Sequence, residues 1–391
     1  MPVALTKKDC CGCHGCAIAC PKQCITMERD EEGFWYPRVD ESACVHCGLC
    51  EKVCPVLNAV PADETAKPAA YAAMNEETGI RLESSSGGVF SALAQQVIAS
   101  GGIVFGAAWS ENFREVRHIG VESMEDLALL RGSKYVQSTV GDCYARAKNA
   151  LAAGRQVLFS GTPCQVEGLH TFLGKDYDNL LLVDIVCHGV PAPAVWQRYL
   201  RECEETAGAP VRNVQFRCKD TGWKGYKVKL TFENGTQQAL PAYKNPFMNA
   251  FIRNACLRQS CHDCRFKKLN RVSDVTLADF WGIEDVCPDM DDDRGTSLLL
   301  VHSEKGERAL ADLSIKRRPV DPDAALAQNP SAFKASAVHP NREAFLSSLE
   351  TLSFQKAVKT YLAKKLTPKQ WLGNLLEELG LISIVRKILR K

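Results

Sequence analysis

Eight cysteines near the N-terminus have the type and spacing of metal ligands. In each of two runs, two residues separate the first three cysteines, three residues precede the fourth, and a proline follows it. Short gaps allow consecutive thiolates to surround one metal centre, and proline, which lacks an N–H, ends the local turn. The runs are Cys10-x2-Cys13-x2-Cys16-x3-Cys20-Pro21 and Cys44-x2-Cys47-x2-Cys50-x3-Cys54-Pro55.

This spacing predicts two [4Fe–4S] clusters in an N-terminal ferredoxin domain, because three cysteines of such a run hold one cluster and the fourth crosses to the other. One predicted ligand set is Cys10, Cys13, Cys16 and Cys54, and the other is Cys44, Cys47, Cys50 and Cys20. A zinc or disulfide scaffold is the alternative, but zinc sites usually use two ligand pairs rather than triple runs. Cys11 and Cys24 fall outside the register and are interpreted as bystander thiols.

A second group of cysteines lies in the body of the chain. Cys164 follows a predicted strand in the first turn of a helix, where the helix dipole favours the thiolate, and Cys187 ends another predicted strand. With the pair Cys261-x2-Cys264 they predict a third [4Fe–4S] cluster. One alternative is structural zinc, and the other is plain buried thiols, the interpretation we favour for Cys143, Cys203, Cys218 and Cys287. The zinc ligands would be Cys256, Cys261, Cys264 and His262 or another residue.

Two polar segments are candidates for binding an anion. Ser84-Ser85-Ser86-Gly87-Gly88 precedes a predicted helix, and small residues let backbone N–H groups approach a phosphate at a helix N-terminus. The second segment, residues 131–138, supplies Arg131, Lys134 and several hydrogen-bond donors. An ordinary helix cap, with Ser85 or Ser86 capping the helix, or an ordinary turn is an equally good interpretation.

The elements around these residues predict an α+β protein. An N-terminal two-cluster ferredoxin domain (1–58), with a hairpin between its cysteine runs, is followed by a linker (59–70) rich in proline, alanine and charge. Helix and strand patterns then alternate through a larger α/β domain with a mixed sheet (71–330), including a capping box at Ser123 and Asp126. Residues 331–391 are predicted to be a helical C-terminal region.

Composition narrows the class of protein. A net charge of +2 gives no indication of a nucleic-acid partner, and no apolar run is long enough to span a bilayer. With 19 cysteines, many of them spaced as ligands, we expect a reducing compartment, and with no secretory signal visible we expect a cytoplasmic protein of an anaerobe. Near the C-terminus, apolar residues at 381, 384, 385, 388 and 389 form one helical face beside basic residues. This helix either docks on a partner or membrane surface or packs on its own domain.

The motifs resemble the coenzyme F420 hydrogenase/dehydrogenase beta-subunit family over roughly residues 70–310. Three motifs surround the candidate ligands, Gly161-Thr162-Pro163-Cys164-Gln165, Cys187-His188-Gly189 and Cys261-x2-Cys264. Three others are Ser85-Ser86-Gly87-Gly88, Gly132-Ser133-Lys134-Tyr135-Val136-Gln137-Ser138 and Ala278-Asp279-Phe280-Trp281-Gly282. The resemblance implies one FAD and one [4Fe–4S] cluster in this domain, the cluster on Cys164, Cys187, Cys261 and Cys264. The residues that it assigns to FAD are Ser85, Ser86, Gly87, Gly88, Gly132, Ser133, Lys134, Tyr135, Gln137, Ser138, Gly161 and Thr162.

Members of this family pass electrons between F420 or another two-electron partner and iron–sulfur centres, and F420-linked sulfite reductase and the plant 7-hydroxymethyl chlorophyll a reductase belong to it. The fused ferredoxin domain departs from the hydrogenase subunit itself, so F420 as the substrate does not follow. The sequence therefore predicts an FAD- and iron–sulfur-dependent oxidoreductase with a soluble two-electron partner or a redox partner protein. The alternatives are a non-catalytic electron-transfer subunit and a flavin-free domain with structural zinc. We predict no catalytic residue, and His188 is interpreted as a hydrogen-bonded structural histidine.

Overall fold

The computed structural model describes residues 5–63 and 65–363. The ferredoxin region contains two short helices, α1 (Gly15–Ala19) and α2 (Leu49–Lys52), and a hairpin of β1 (Ile25–Arg29) and β2 (Trp35–Val39). The hairpin is antiparallel with Ile25 opposite Val39, as the sequence predicts. Each short helix carries the third cysteine of its run and delivers the fourth just beyond its end, so the two runs have the same local structure.

Twelve further strands form the body. They are β3 (Ala69–Asn75), β4 (Ile103–Trp109), β5 (Val116–Val121), β6 (Ser138–Thr139), β7 (Val157–Gly161), β8 (Leu180–Ile185), β9 (Val211–Cys218), β10 (Lys227–Phe232), β11 (Gln237–Pro241), β12 (Val275–Asp279), β13 (Ser297–Val301) and β14 (Ile315–Val320). Nine of them form one sheet in the order β14-β3-β13-β12-β8-β7-β4-β5-β6. Its pairs β4–β7, β7–β8 and β8–β12 are parallel, whereas the pairs of β3 are antiparallel. The predicted mixed sheet is confirmed.

The remaining helices follow the strands in sequence. They are α3 (Thr78–Glu83), α4 (Val89–Ala99), α5 (Met124–Leu130), α6 (Cys143–Ala152), α7 (Pro163–Leu173), α8 (Pro193–Ala207), α9 (Pro246–Ile252), α10 (Ile283–Val286), α11 (Glu304–Ala311), α12 (Pro322–Leu326), α13 (Arg342–Ser348) and α14 (Phe354–Tyr361). Local chemistry explains two of the starts. Ser123 caps α5 by accepting from the Asp126 N–H, and Thr162 opens α7 in a capping box with Gln165.

The large sheet is covered on both faces, because successive residues of its buried strands point to opposite sides. Val104 and Leu158 pack with α4, α5 and α11, whereas their neighbours Phe105 and Phe159 pack with α6 and α7. The sheet of β9, β10 and β11 packs with α8, α9, α13 and α14 around Trp196. The two helices α13 and α14 therefore belong to the core of the body.

The connection between ferredoxin and body is fixed by hydrogen bonds. The Val60 N–H donates to Glu167 Oε1 at 3.1 Å, and Lys268 Nζ donates to the Val60 carbonyl at 2.7 Å. Lys268 and Glu167 also form an ion pair at 3.1 Å, with side chains only 1% and 3% exposed. Asn270 holds the Pro61 carbonyl at 2.7 Å. The segment that the sequence predicts as a linker is thus anchored to α7 and to the loop before β12.

Two expectations concern membranes and the C-terminus. Across the part of the chain that the structure describes, no helix has the length and apolar character needed to cross a bilayer. The predicted amphipathic helix at 381–391 lies outside the described residues.

Candidate functional site

The first ferredoxin ligand set comes together as predicted. Cys10, Cys13, Cys16 and Cys54 line one cavity, which we call the first cavity. Cys10, Cys13 and Cys54 are each only 8% exposed. Burial raises the pKa of the Cys16 thiol to about 12 and also raises that of Cys54. Such thiols become ligands only where a bound cation offsets the cost of the negative charge, so the donor set fits an iron–sulfur cluster.

The second set also comes together, in a different environment. Cys20, Cys44, Cys47 and Cys50 line a second cavity, and Cys47 is exposed. Cys24 lines this cavity too, with its Sγ 3.3 Å from that of Cys20. The sequence gives no ligand role to Cys24, and the structure adds that this thiol lies within contact distance of a predicted ligand.

Four cysteines from distant parts of the body share a third cavity. They are Cys164 at the start of α7, Cys187 two residues beyond β8, Cys261 at the end of a 3-10 turn, and Cys264. The sequence places Cys187 at a strand end, but β8 ends at Ile185. Burial raises the pKa of Cys187 to about 12 and that of Cys264 to about 11. Four thiols in one enclosed site fit a [4Fe–4S] cluster in the same way as the ferredoxin sets.

The zinc alternative requires a different grouping. Cys256 is fully buried in the core around Trp196 and does not line the third cavity. The His262 ring is held by the Ser336 carbonyl, 2.8 Å from Nδ1. The structure therefore gathers the four cysteines of the cluster prediction and leaves Cys256 elsewhere.

Cys11 connects the first and third cavities. It lines both, and it packs with Cys13 and with Cys164 in one cluster of side chains. The sequence predicts a helix-stabilised thiolate at Cys164, but the Cys11 thiol and burial instead raise the pKa of Cys164 well above its ordinary value. The interpretation of Cys11 as a bystander thiol was based on the spacing of the N-terminal cysteines. That spacing carries no information about the packing of the body, so this contact was missed.

Arg258 fixes the ferredoxin domain against the body. Its guanidinium donates to the Cys10 carbonyl at 2.8 Å, to the Trp35 carbonyl at 2.9 Å and to Gln137 Oε1 at 2.9 Å. It also lies 4.1 Å from the centre of the Tyr36 ring. Gly12, at φ 70°, makes room for it, since a Cβ there would lie 2.9 Å from Arg258 Nη1. This side chain is fully buried and was not found by sequence reasoning.

The two candidate anion-binding segments meet. Ser133 Oγ lies 2.7 Å from Ser85 Oγ, joining residues 132–138 to residues 85–88, which we call the serine–glycine turn. The prediction that Ser85 or Ser86 caps α4 is wrong, because Gly88 is the N-cap at φ 80° and Ser86 Oγ donates to the Thr296 carbonyl. Gly87 packs tightly, since a Cβ there would lie 2.4 Å from the Ala73 carbonyl oxygen.

The other residues assigned to FAD make contacts within the protein. Gln137 donates to the Cys11 carbonyl, and Ser138 bonds the His118 ring. The Thr162 N–H and Gly161 both contact Gln165. Gln137, Ser138, Gly161 and Thr162 therefore have their partners at Cys11, His118 and Gln165.

Three further side chains named in the sequence analysis also have partners within the protein. Lys134 Nζ donates to the Arg131 and Gly132 carbonyls, and burial lowers its pKa to about 7. The Tyr135 ring packs on Phe251, with ring centres 5.0 Å apart. The His188 ring bonds Asn254 Oδ1 at 2.7 Å, which is the contact of a structural histidine.

The sequence analysis missed two neighbouring cations, one of which, Lys219, borders the serine–glycine turn. Lys219 Nζ donates to the carbonyls of Arg81, Ser86 and Arg294, each at 2.8 Å. Arg217, two residues earlier, pairs with Asp279 at 3.0 Å. Asp279 belongs to the Ala278–Gly282 motif of the family resemblance. This motif was the one indication in the sequence that a cation such as Arg217 has its partner here.

Family comparisons agree with this organisation. The model described as "4Fe-4S dicluster domain" matches residues 9–58, and the model for the C terminus of the "Coenzyme F420 hydrogenase/dehydrogenase, beta subunit" matches residues 154–319. The chain therefore contains a C-terminal domain of the coenzyme F420 hydrogenase/dehydrogenase beta-subunit family and, before it, a 4Fe-4S dicluster ferredoxin domain. All four cysteines of the third cavity lie inside the beta-subunit match.

Individual relatives match parts of the chain. It is 36% identical over 61 residues to NADH-quinone oxidoreductase subunit I 2 of Geobacter metallireducens, covering 14% of this chain and 47% of that protein. It is 23% identical over 183 residues to the F subunit of the F(420)H(2) dehydrogenase of Methanosarcina mazei, covering 44% and 51%. The chain thus spans about half the length of each of these curated relatives. A chain of the F420-reducing [NiFe] hydrogenase complex from Methanosarcina barkeri aligns with a TM-score of 0.47 and 16% identity, covering 77% of this chain and 94% of that one.

Proposed function

We propose that this protein is an iron–sulfur flavoprotein oxidoreductase that moves electrons between three [4Fe–4S] clusters and FAD, and on to a soluble two-electron partner. The observation that carries the proposal is the contact of the first and third cavities through Cys11. Cubane clusters exchange one electron at a time and a flavin exchanges two, so each turnover of a two-electron partner requires two passages through the clusters.

The burial of the cavities supports an order for this path. The second cavity lies at the surface, with Cys47 exposed, and is the point where an external donor or acceptor can approach. The first cavity is buried and adjoins the third. Electrons would therefore enter or leave at the second cavity and cross the first before they reach the body.

Aromatic rings continue the path beyond the third cavity. His188, next to Cys187, has its ring centre 5.1 Å from that of Phe251, and Tyr135 is 5.0 Å further on. Tyr135 belongs to residues 132–138, whose Ser133 contacts the serine–glycine turn. The candidate flavin segments are thus linked to the third cavity through packed side chains.

The residues present fit a flavin dinucleotide. The serine–glycine turn opens α4, and the first N–H groups of a helix favour an anion such as a phosphate. Ser133, from the second segment that the resemblance assigns to FAD, contacts this turn. The meeting of the two segments at the start of α4 supports a flavin phosphate there.

A second candidate function is a non-catalytic subunit that delivers electrons to a separate enzyme through its ferredoxin domain. Exposed apolar side chains beside the second cavity favour it, because Val45 is 56% exposed and Leu49 is 38% exposed. Such residues are typical of protein contact surfaces.

Cofactor analysis after anaerobic purification tests the proposal. We expect about twelve irons and one FAD per chain. A Cys164→Ala/Cys261→Ala variant should lose about four irons, whereas Cys143→Ala, a buried thiol outside the three cavities, should lose none. Eight irons with bound zinc and no flavin would contradict the proposal. Turnover of reduced F420 or a nicotinamide with an artificial acceptor then distinguishes the enzyme from the delivery subunit.

A further inference from the structure

The first and third cavities differ in the charges that line them. Neither has an exposed cysteine among its four predicted ligands, so both are shielded from solvent. The described lining of the first cavity contains no aspartate, glutamate, lysine or arginine. The lining of the third contains four cations and two carboxylates, which are Arg258, Arg265, Lys267, Arg271, Asp9 and Asp263. Cations therefore outnumber carboxylates in the third cavity alone.

Several of these charges are compensated or screened. Arg271 is paired with Asp184 at 3.0 Å, and both side chains are only 2% exposed. Arg265 and Asp263 are exposed, so solvent and salt weaken their influence on the cavity. The Asp9 carboxylate accepts hydrogen bonds from the N–H and the hydroxyl group of Thr6. The charges that remain effective inside the cavity are those of Arg258 and Lys267.

Lys267 distinguishes the third cavity from the first. Arg258 donates to the Cys10 carbonyl and also lines the third cavity, so its charge acts on both sites. Lys267 lines the third cavity only. Its Nζ donates at 3.1 Å to the carbonyl of His188, the residue after Cys187. Neither cation forms a salt bridge within the part of the chain that the structure describes, so neither charge is neutralised by a carboxylate.

The Lys267 amine is held beside the thiols. A second contact, 3.5 Å from Nζ to Ser336 Oγ, limits its movement. Burial lowers the pKa of Lys267, and the neighbouring thiols of Cys187, Cys264 and Cys261 act against this shift. A cluster held by four thiolates has a net negative charge, which favours the protonated amine. The side chain therefore supplies a positive charge at a fixed place when a cluster is bound.

We propose that Lys267 raises the reduction potential of the third cluster above that of the first. A cluster becomes more negative when it accepts an electron, and the charge around it is one of the quantities that set its potential. One electron then leaves the reduced first cluster, which is oxidised, and reduces the third, with no proton or further reactant. This inference rests on the proposed function for the presence of the clusters, and it adds the direction in which electron transfer between them is favourable.

Anaerobic potentiometric titration followed by electron paramagnetic resonance tests this role. The Cys164→Ala/Cys261→Ala and Cys54→Ala variants identify the third and first signals by their loss. At a fixed potential, Lys267→Met should lower the ratio of reduced to oxidised third cluster about tenfold, which is about 59 mV for a one-electron couple, and leave the first unchanged. Lys267→Arg keeps the charge and should change the ratio by less than about twofold. The matched control is Lys316→Met, an exposed lysine on β14 outside the three cavities, with no change.

Iron content shows whether each variant is loaded. With about twelve irons bound, a third cluster whose potential is not above that of the first overturns the inference. A potential unaffected by Lys267→Met, or lowered equally by Lys267→Arg, also overturns it. If Lys267→Met loses iron, the neutral and polar variant Lys267→Gln replaces it, and the order of the two potentials in the unaltered protein decides independently. About eight irons in the unaltered protein would instead refute the third cluster, which is a failure of the proposed function itself.

Discussion

The two ferredoxin cavities have the same cysteine spacing and different surroundings. The first is packed against the body, where Gly168 of α7 approaches so closely that a Cβ there would lie 3.0 Å from Cys13 Cβ. The second is lined by residues 20–51 of the ferredoxin region itself and has an exposed cysteine. Spacing therefore groups each set of cysteines, whereas packing against the body decides which cavity is buried and which reaches the surface.

The largest expected effect is on the free energy of unfolding, and it compares the side of the ferredoxin domain that Arg258 binds with its solvent-exposed side. Arg258→Met leaves the Cys10 and Trp35 carbonyls without their donor, and we expect a loss of about 3 kcal/mol or more in the free energy of unfolding. Arg38→Met, whose side chain is 73% exposed on β2, should change it by less than about 0.5 kcal/mol. Anaerobic denaturant titration measures both, and equal effects would remove the distinction between the two sides.

Substitution of the predicted ligands tests whether Cys24 can replace Cys20 in holding a cluster. Cys54→Ala in the first cavity should lose about four of twelve irons. Cys20→Ala should retain its cluster, since Cys24 Sγ is 3.3 Å from the position of Cys20 Sγ and can replace it as a ligand. The double variant Cys20→Ala/Cys24→Ala should then lose about four irons, those of the second cavity. Iron analysis of the three variants decides, and full loss in Cys20→Ala alone would refute replacement by Cys24.

The clusters should also differ in their resistance to chelation. An exposed Cys47 leaves the second cavity open to solvent, whereas the first is enclosed. During incubation with a chelator after mild oxidation, we expect about four irons to be released in an early phase and the remainder more slowly. Iron release and electron paramagnetic resonance spectra follow the two phases. A single phase, or early loss from the buried sites, would contradict the difference in exposure.

The smallest effect concerns the two thiols outside the register. Cys11→Ala should keep all irons and cost about 1 kcal/mol of stability, but it should slow the reduction of the third cluster, because it removes the contact with Cys164. Cys24→Ala has no such contact with the body and should leave that rate unchanged. Rapid-mixing spectroscopy with a reducing donor compares them, and identical rates in both variants would argue against a path through Cys11.

The sequence predicts those parts of the molecule that depend on spacing or on local pattern. The grouping of the ferredoxin cysteines around two cavities, the hairpin of β1 and β2, and the grouping of four cysteines of the body follow from residue order and motif. Arg258, Arg217 and Cys11 could not be found in this way, since their partners lie far away in sequence. The capping serines of α4 were predicted wrongly because their hydroxyl groups bond other segments, and Gly88 supplies the left-handed N-cap instead.

The hydrogen-bonded connection at Val60 has a consequence for how the protein meets its partners. Lys268 and Glu167 bind the carbonyl and the N–H of Val60, so the connection holds the ferredoxin domain in one position against the body. Under the proposed function, electron transfer within the chain would then cross constant distances and would not depend on solvent viscosity. Only the encounter of a partner with the exposed second cavity would depend on diffusion, so the selection of that partner would rest on this small part of the surface.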